Sequence, residues 1–374
     1  MQVIIMAAGK GSRMGGLAEK CHKSLLPINS HENFLSRLLH QINEYEVSKV
    51  AVTVGHKADE VAAAVADFQF NYEIVNNSSY DQDTNIWSMK LAMDVMSPDE
   101  PIIILEGDVY LDDLAMRDIY NSALKGSSIW FTRGPFSPSQ YGGVLKADKD
   151  GEVSSIDIVP KYEEKFASYK KLLGITVIGP NEHSPYKQFL NTYASQSKQQ
   201  YWLVPWYQNL KQLKCISHDL SEYVITSVNT ENEYREFLQK LENKIQCPHP
   251  LEVLNINKLR PIEGIITERG SELAEKIKKE GVWTKPLFVD AKDFLIMDGH
   301  HRYSAALQLG IKRIPVIKLD YKDVPIWSLR ADIDVSIDLV KEQALSGEIF
   351  PSKTVKHNFK FNAPKCFYEL KDLY

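Results

Sequence analysis

An α/β architecture in two domains is what this chain predicts: an N-terminal domain built on a mostly parallel sheet and a C-terminal α+β domain. Three observations carry that expectation. Short apolar strand runs alternate with helical patterns from Val3 onward, which is the signature of a sheet covered on both faces with ligands at the C-terminal strand ends. At 374 residues the chain is too long for one ordinary core and suits two. Finally, Cys247-Pro248-His249-Pro250 interrupts regular structure, and a second series of strands and helices follows it. The expected domains are therefore residues 1–245 and 251–374.

In chain order, Val3 to Met6 reads as a buried strand opening into Ala7-Ala8-Gly9-Lys10-Gly11-Ser12-Arg13-Met14-Gly15-Gly16. Small residues there let the backbone approach a ligand closely, while N–H groups and Arg13 can face phosphates. The spacing fits neither the Walker A loop nor the dinucleotide GxGxxG. Lys23-Ser24-Leu25-Leu26-Pro27 adds a second basic point soon after. Phe34 to Tyr45 has helical spacing, Ser48 to Gly55 is a strand, Ala58 to Val65 a helix, and Tyr72 to Val75 another strand. Asn76-Asn77-Ser78-Ser79-Tyr80 and Thr84-Asn85-Ile86-Trp87-Ser88 lead into a helix reaching Met93. Pro101 to Val109 is a buried strand that delivers Asp108 at its end, the kind of carboxylate a hard Mg²⁺ ion bridging triphosphate oxygens requires. Tyr141-Gly142-Gly143-Val144 is either an acceptor-facing turn or a plain hairpin, and Tyr201, Trp202 and Trp206 are either core aromatics or acceptor contacts.

Glu231 to Lys244 is an amphipathic charged helix that precedes the Cys247–Pro250 break. Beyond it come a strand, Leu251 to Ile256, the segment Leu259-Arg260-Pro261-Ile262-Glu263, and a helix from Ser271 to Glu280 stopped by Gly281. Trp283 to Val289 and Phe294 to Met297 then lead into Asp298-Gly299-His300-His301-Arg302, followed by a helix from Tyr303 to Leu309 and a strand from Ile314 to Tyr321. Strand, tight turn and helix N-terminus, with two imidazoles and a guanidinium at the entrance, make a pattern suited to an anion.

The charge and cysteine content narrow the function classes. A net charge of −5 argues against non-specific nucleic-acid binding as the main task, so any anion site is local. No apolar run approaches a membrane span, and the first strand enters the glycine loop without a signal-peptide pattern, so a cytoplasmic protein is expected. Cys21, Cys215, Cys247 and Cys366 are scattered without a CxxC pair, which suggests free thiols.

Two resemblances sharpen these readings. The glycine loop, Lys23, the Thr84–Ser88 segment and Asp108 resemble the Rossmann-like nucleotidyltransferases that activate sugar phosphates and phosphocholine, most closely the bacterial choline-phosphate cytidylyltransferases, over roughly residues 1–240. That resemblance implies that Ala8, Gly9, Gly11, Ser12 and Arg13 bind the nucleotide together with Asn85 and Ser88, that Lys23 stabilises charge at the α-phosphate, and that Asp108 holds Mg²⁺. The family's second metal carboxylate is replaced here by Asn229.

The C-terminal order resembles the ParB/sulfiredoxin-like fold and, more narrowly, the free-serine kinases built on it. It rests on Leu259–Glu263, Asp298–Arg302, Lys312-Arg313 with the strand to Tyr321, and Gly347 to His357. The chain is shorter than that family between Trp327 and Ser346. By this resemblance Glu263 takes the serine hydroxyl proton and Asp298 places substrate or Mg²⁺. His300, His301 and Arg302 hold the moving phosphoryl group, and Lys353, Thr354 and His357 bind phosphate or the serine carboxylate.

A bifunctional enzyme is the expectation: an L-serine kinase joined to a CTP:phosphoserine cytidylyltransferase making CDP-serine and pyrophosphate. The donor is ATP or ADP. The alternatives are a cytidylyltransferase for another small phosphorylated alcohol or phosphonate, and a regulatory ParB-like domain that binds nucleotide or DNA. Expected partners are small molecules, with neither nucleic acid nor membrane, and a homodimer is left open.

Overall fold

The computed structural model describes residues 1–29, 32–242, 247–330, 332–361 and 363–374. The chain divides into two compact units, Met1–Leu238 and Gln239–Tyr374. The expected boundary at residue 245, and the end of the Glu231–Lys244 helix, lie outside the described residues; that helix is described over Glu231–Glu242.

In the first unit β1 (Gln2–Ala7), β2 (Lys49–Val54), β3 (Tyr72–Asn76) and β4 (Ile102–Glu106) run parallel in the order β4-β1-β2-β3. After β5 (Val109–Leu111) the chain forms β6 (Ile129–Pro135), β7 (Gly142–Ala147), β8 (Val153–Val159), β9 (Lys170–Ile178) and β10 (Ile216–Asp219). β9 lies antiparallel between β4 and β6, β10 extends the sheet beside β6, and β7 and β8 form a hairpin on β9. Tyr141–Val144 is accordingly the start of a hairpin strand.

Strand alternation sorts the apolar side chains onto two faces. Val3, Ile5, Val50, Val52, Ile103 and Leu105 pack with the helices Phe34–Ile42, Ala58–Ala66 and Asp113–Ala123. Ile4, Ala51, Ile102 and Ile104 pack on the other face with Ile86–Asp94 and Pro180–Gln196. Trp130 stacks on Trp202 at 5.3 Å and meets Trp206 edge-on at 5.9 Å, so these tryptophans are core aromatics. Tyr201 stays exposed.

The second unit is centred on four strands, β11 (Leu251–Asn255), β12 (Leu287–Asp290), β13 (Ile296–Asp298) and β14 (Arg313–Leu319), in the order β11-β14-β12-β13. Only β12 and β14 are parallel. Helices Thr267–Glu280 and His300–Gln308 bury Ala274, Ile277, Ala305 and Ala306 against one face, while Val340 and Ala344 of Ile337–Ser346 cover the other. The first of these helices begins four residues before the expected Ser271, because Thr267-Glu268 already forms its first turn. The second begins at His300 and not Tyr303. Gly299, at φ 102°, caps it, and the His-His-Arg run becomes its first turn. No helix among the described residues is long and apolar enough to cross a membrane.

Candidate functional sites

At the C-terminal ends of β1 and β4 a cleft of about 610 Å³ is lined by Ala8, Gly9, Gly11, Ser12, Arg13, Lys23, Asn85, Ser88, Asp108 and Asn229. All ten nucleotide-site residues expected from the sequence thus meet around one cavity, of a size suited to a small-molecule ligand. Gly11 has φ 62°, and a Cβ there would lie 3.3 Å from the Lys23 Cβ, so glycine lets the loop close over that lysine.

Lys23 forms an ion pair with the Asp108 carboxylate, and its Nζ lies 3.3 Å from Asn229 Oδ1. Arg13 Nη2 donates to the same amide oxygen at 3.0 Å. Asn229 is held in turn by its N–H, which donates to Glu233 Oε2 at 2.6 Å. Asp108 and Asn229 therefore present two hard oxygens to one cation, a donor pair that fits Mg²⁺. No group of three His, Cys, Asp or Glu side chains forms a ready metal cage among the described residues, so an ion here would complete its shell with ligand oxygens.

His22, absent from the sequence-based set, ties the loop together. Its Nε2 lies 3.1 Å from the Gly9 carbonyl, and Nδ1 accepts from the Ser24 N–H at 3.2 Å, which places the ring proton on Nε2. Burial pushes its pKa down to about 4, so the ring is a neutral clamp joining the glycine loop to the segment that carries Lys23.

Asn85 and Ser88 stand on the opposite wall. Asn85 Oδ1 accepts from the Trp202 N–H at 2.8 Å. The Ser88 hydroxyl donates to Asp83 Oδ2 at 2.9 Å and accepts from Asn77 Nδ2 at 2.9 Å. Asp83 also receives the N–H groups of Trp87 and Ser88. These side chains fix the shape of that wall.

Glu106 is the second residue that sequence reasoning passed over. It lines the cleft two positions before Asp108, and burial together with the Asp108 charge raises its pKa to about 7. Nearby Lys171 has its pKa lowered to about 8, first by burial and then by Arg133. Its ammonium is held by the carbonyls of Gly143 at 3.1 Å and Leu172 at 3.0 Å.

In the second unit Glu263 is fixed from two directions. Its Oε2 accepts from the N–H groups of Thr354 and Val355, both at 3.0 Å. Oε1 lies 3.9 Å from His300 Nδ1. Burial raises the carboxyl pKa against the pull of those two amides. The adjacent histidines grip the loop on either side of Glu263: His300 Nε2 accepts from the Ile262 N–H and His301 Nε2 from the Ile266 N–H, each at 3.3 Å. Burial lowers both imidazoles, His300 to about 4, and an accepting Nε2 places the proton on Nδ1, the side facing Glu263.

Asp298 is half-buried, and its Oδ2 accepts from Arg302 Nη2 at 2.6 Å. Arg302 keeps that carboxyl below its usual range although burial opposes the shift. The expected residues of the C-terminal segment divide. Lys353 adopts φ 58°, and its charge reaches His301. Thr354 is buried, and its hydroxyl donates to the Pro351 carbonyl at 2.7 Å. His357 is buried on Tyr321, with Nε2 2.8 Å from the phenol oxygen. Thr354 and His357 thus support the Glu263 carboxylate and the strand behind it.

Comparison with known proteins agrees with this division. Residues 3–141 match the family model of the MobA-like NTP transferase domain, and residues 238–325 match that of the ParB N-terminal domain. An ATP-dependent L-serine kinase of Staphylothermus marinus is 40% identical over 75 residues, 19% of this chain and 30% of its own length. An ADP-dependent L-serine kinase of Thermococcus kodakarensis is 28% identical over 102 residues, 25% of this chain and 42% of its own. The chain therefore spans less than half the length of either curated relative. The solved CTP:phosphocholine cytidylyltransferase of Streptococcus pneumoniae shares the fold, with a TM-score of 0.54 at 19% identity over 64% of this chain and 98% of that one. The chain joins a MobA-like NTP transferase domain of Rossmann-like nucleotidyltransferase fold to a ParB-like α+β domain.

Proposed function

We propose that the protein is a bifunctional transferase that phosphorylates free L-serine in its second domain and transfers CMP from CTP onto the resulting O-phospho-L-serine in its first. Residues 1–245 and 251–374 are the corresponding domains. The observation that carries the reading is the pairing, in one chain, of a cleft gathering a glycine loop, Lys23 and Asp108 with a buried carboxylate, Glu263, beside the first turn of a helix. A kinase that makes a phosphomonoester, fused to a transferase that consumes one, supports O-phosphoserine as the acceptor.

In the kinase step the serine hydroxyl oxygen attacks the terminal phosphorus of ATP or ADP, the bond to the shortened nucleotide breaks, and the hydroxyl proton passes to Glu263 Oε1. The raised pKa of Glu263 suits a base that must hold a proton while the phosphoryl group moves. Arg302, Lys353 and the N–H groups preceding Tyr303, the first amide to return to Gly299 C=O, meet the phosphoryl oxygens. Asp298 orients the substrate.

In the cytidylyl step a phosphate oxygen of phosphoserine attacks the α-phosphorus of CTP, and the bond to the β-phosphate oxygen breaks to release pyrophosphate. Lys23 and Arg13 neutralise charge that develops on the transferred group, and the loop from Ala8 to Ser12 seats the triphosphate. Asp108 and the Asn229 amide oxygen would hold a Mg²⁺ ion, which would supply neutralising charge to the triphosphate.

The test is an incubation of the intact chain with L-serine, ATP or ADP, CTP and Mg²⁺, followed by product masses. CDP-serine and pyrophosphate are expected, and leaving out the donor stops the reaction unless O-phosphoserine is added. Failure of phosphoserine, with rapid pyrophosphate release from phosphocholine, a sugar phosphate or a phosphonate, replaces the acceptor.

A further inference from the structure

Glu106 is a carboxyl group without a hydrogen-bond or ion-pair partner among the described residues. β4 ends on it, and in the antiparallel register of β4 with β9, Leu105 faces Ile175, which sets Glu106 across from Gly174. Its side chain lies over that glycine: a Cβ at position 174 would fall 2.4 Å from Glu106 Cδ. The carboxylate therefore leans toward β9, away from β1 and its nucleotide loop, yet still lines the cleft.

Three cations lie near enough to influence it, Lys23, Lys171 and Arg13, and each is engaged elsewhere. Lys23 pairs with Asp108, Arg13 donates to Asn229, and Lys171 is held by two carbonyls. Among the described residues the Glu106 carboxylate accepts no hydrogen bond and forms no ion pair. A partly buried carboxylate left in that condition favours a cationic ligand. Asp108 and Asn229 already offer two hard oxygens to a metal ion in this cleft, which leaves Glu106 to meet a cationic group of the ligand itself.

We propose that Glu106 binds the ammonium group of the acceptor, so that the transferase domain selects phosphomonoesters bearing an amine close to the phosphate. The inference rests on the cytidylyl-transfer reading above and deepens it: O-phosphoserine is chosen over amine-free phosphates of similar size by a charge pair formed at the β9 side of the cleft. Glu106 is a specificity-determining residue and takes no part in bond making.

The experiment measures pyrophosphate release by the full chain with CTP and Mg²⁺ against O-phosphoserine, phosphoethanolamine and 3-phosphooxypropanoate, which lacks the amine. Glu106→Gln keeps the shape and removes the charge. It should raise KM for both aminated acceptors about tenfold or more while leaving KM for CTP and the Mg²⁺ requirement unchanged. For 3-phosphooxypropanoate the variant and the parent should be alike. Gly174→Ala, which displaces the carboxylate, should reproduce the acceptor effect.

Loss of CTP or Mg²⁺ affinity in Glu106→Gln overturns the inference, as does a parent enzyme that treats 3-phosphooxypropanoate and phosphoserine equally. If the parent uses phosphoethanolamine and rejects phosphoserine, the phosphoserine reading falls and the inference stands. If phosphoserine works and Glu106→Gln keeps its acceptor KM, the inference alone falls.

Discussion

On the proposed reading two side chains, Glu263 and Lys23, bear the chemistry most directly, and each has a separable consequence. Glu263→Gln preserves the two amide contacts from Thr354 and Val355 but removes the base. Serine phosphorylation should fall by about 100-fold or more, while transfer onto supplied phosphoserine persists, as a coupled pyrophosphate assay and product masses will report. Lys23→Ala deletes the cation shared by Asp108 and Asn229, and cytidylyl transfer should fall on the order of 10²–10³ with kinase turnover intact. Kinase loss in folded Lys23→Ala protein would break the two-site assignment. The residues missed at this scale were missed for a physical reason. Glu106 closes an apolar run, where a carboxylate reads as a strand end, and its significance depends on Gly174 being its neighbour across β9. His22 acts through its two ring nitrogens on backbone and hydroxyl groups, and no spacing in the sequence records those contacts.

At the scale of elements, Gly299 sets the start of the helix that carries both clamp histidines. Its φ of 102° is unfavourable for other residues, and a Cβ would meet Leu287 Cγ at 2.8 Å and Arg302 Nη2 at 2.9 Å. Gly299→Ala should cost about 1–3 kcal/mol of stability, seen as a lower thermal midpoint, and depress serine phosphorylation by disturbing the Asp298–Arg302 pair. The parallel strands were legible because period-2 and period-3.6 apolar patterns alternate cleanly up to β4. The β7–β8 hairpin stood as one of two readings of Tyr141–Val144, whereas the antiparallel placement of β9 was not legible, since pairing partners distant in sequence leave no local mark. The C-terminal segment lies against Glu263, but Thr354 and His357 are turned into the core. Alternation along Val355–His357 turns His357 inward with Val355.

For the whole molecule, the buried histidines dominate the response to acid, and three of them, His22, His300 and His357, are shifted furthest. His22 and His300 are lowered to about 4 and His357 to about 3, all chiefly by burial. Between an ordinary histidine value of about 6.5 and those values the unfolded chain binds protons that the folded chain refuses, so the contribution of these rings is complete above that range and is lost as pH falls through it, while Glu106, raised to about 7, offsets one of them. Each histidine contributes a slope of about 1.4 kcal/mol per pH unit there. Denaturant midpoints should drop steeply from pH 7 to pH 5, and His300→Gln should flatten the slope; a midpoint independent of pH over that interval would contradict the burial of these rings. The division into two compact units was readable from length and from the Cys247–Pro250 break, although the structural division falls earlier, between Leu238 and Gln239. The pattern of the Glu231 helix continues through that point without a breaker.

The grip of His300 and His301 on the loop around Glu263 also has a spectroscopic consequence. The amide protons of Ile262, Ile266, Thr354 and Val355 end on side chains and not on carbonyls of a helix or sheet ladder. Their exchange with deuterated solvent therefore clocks the opening of the kinase site itself, apart from the unfolding of the strands behind it. Ile262 and Ile266 should lose protection together when the imidazoles gain protons, whereas Thr354 and Val355 should follow the Glu263 carboxylate. Four resolved amides would thus time the two segments that hold Glu263 independently.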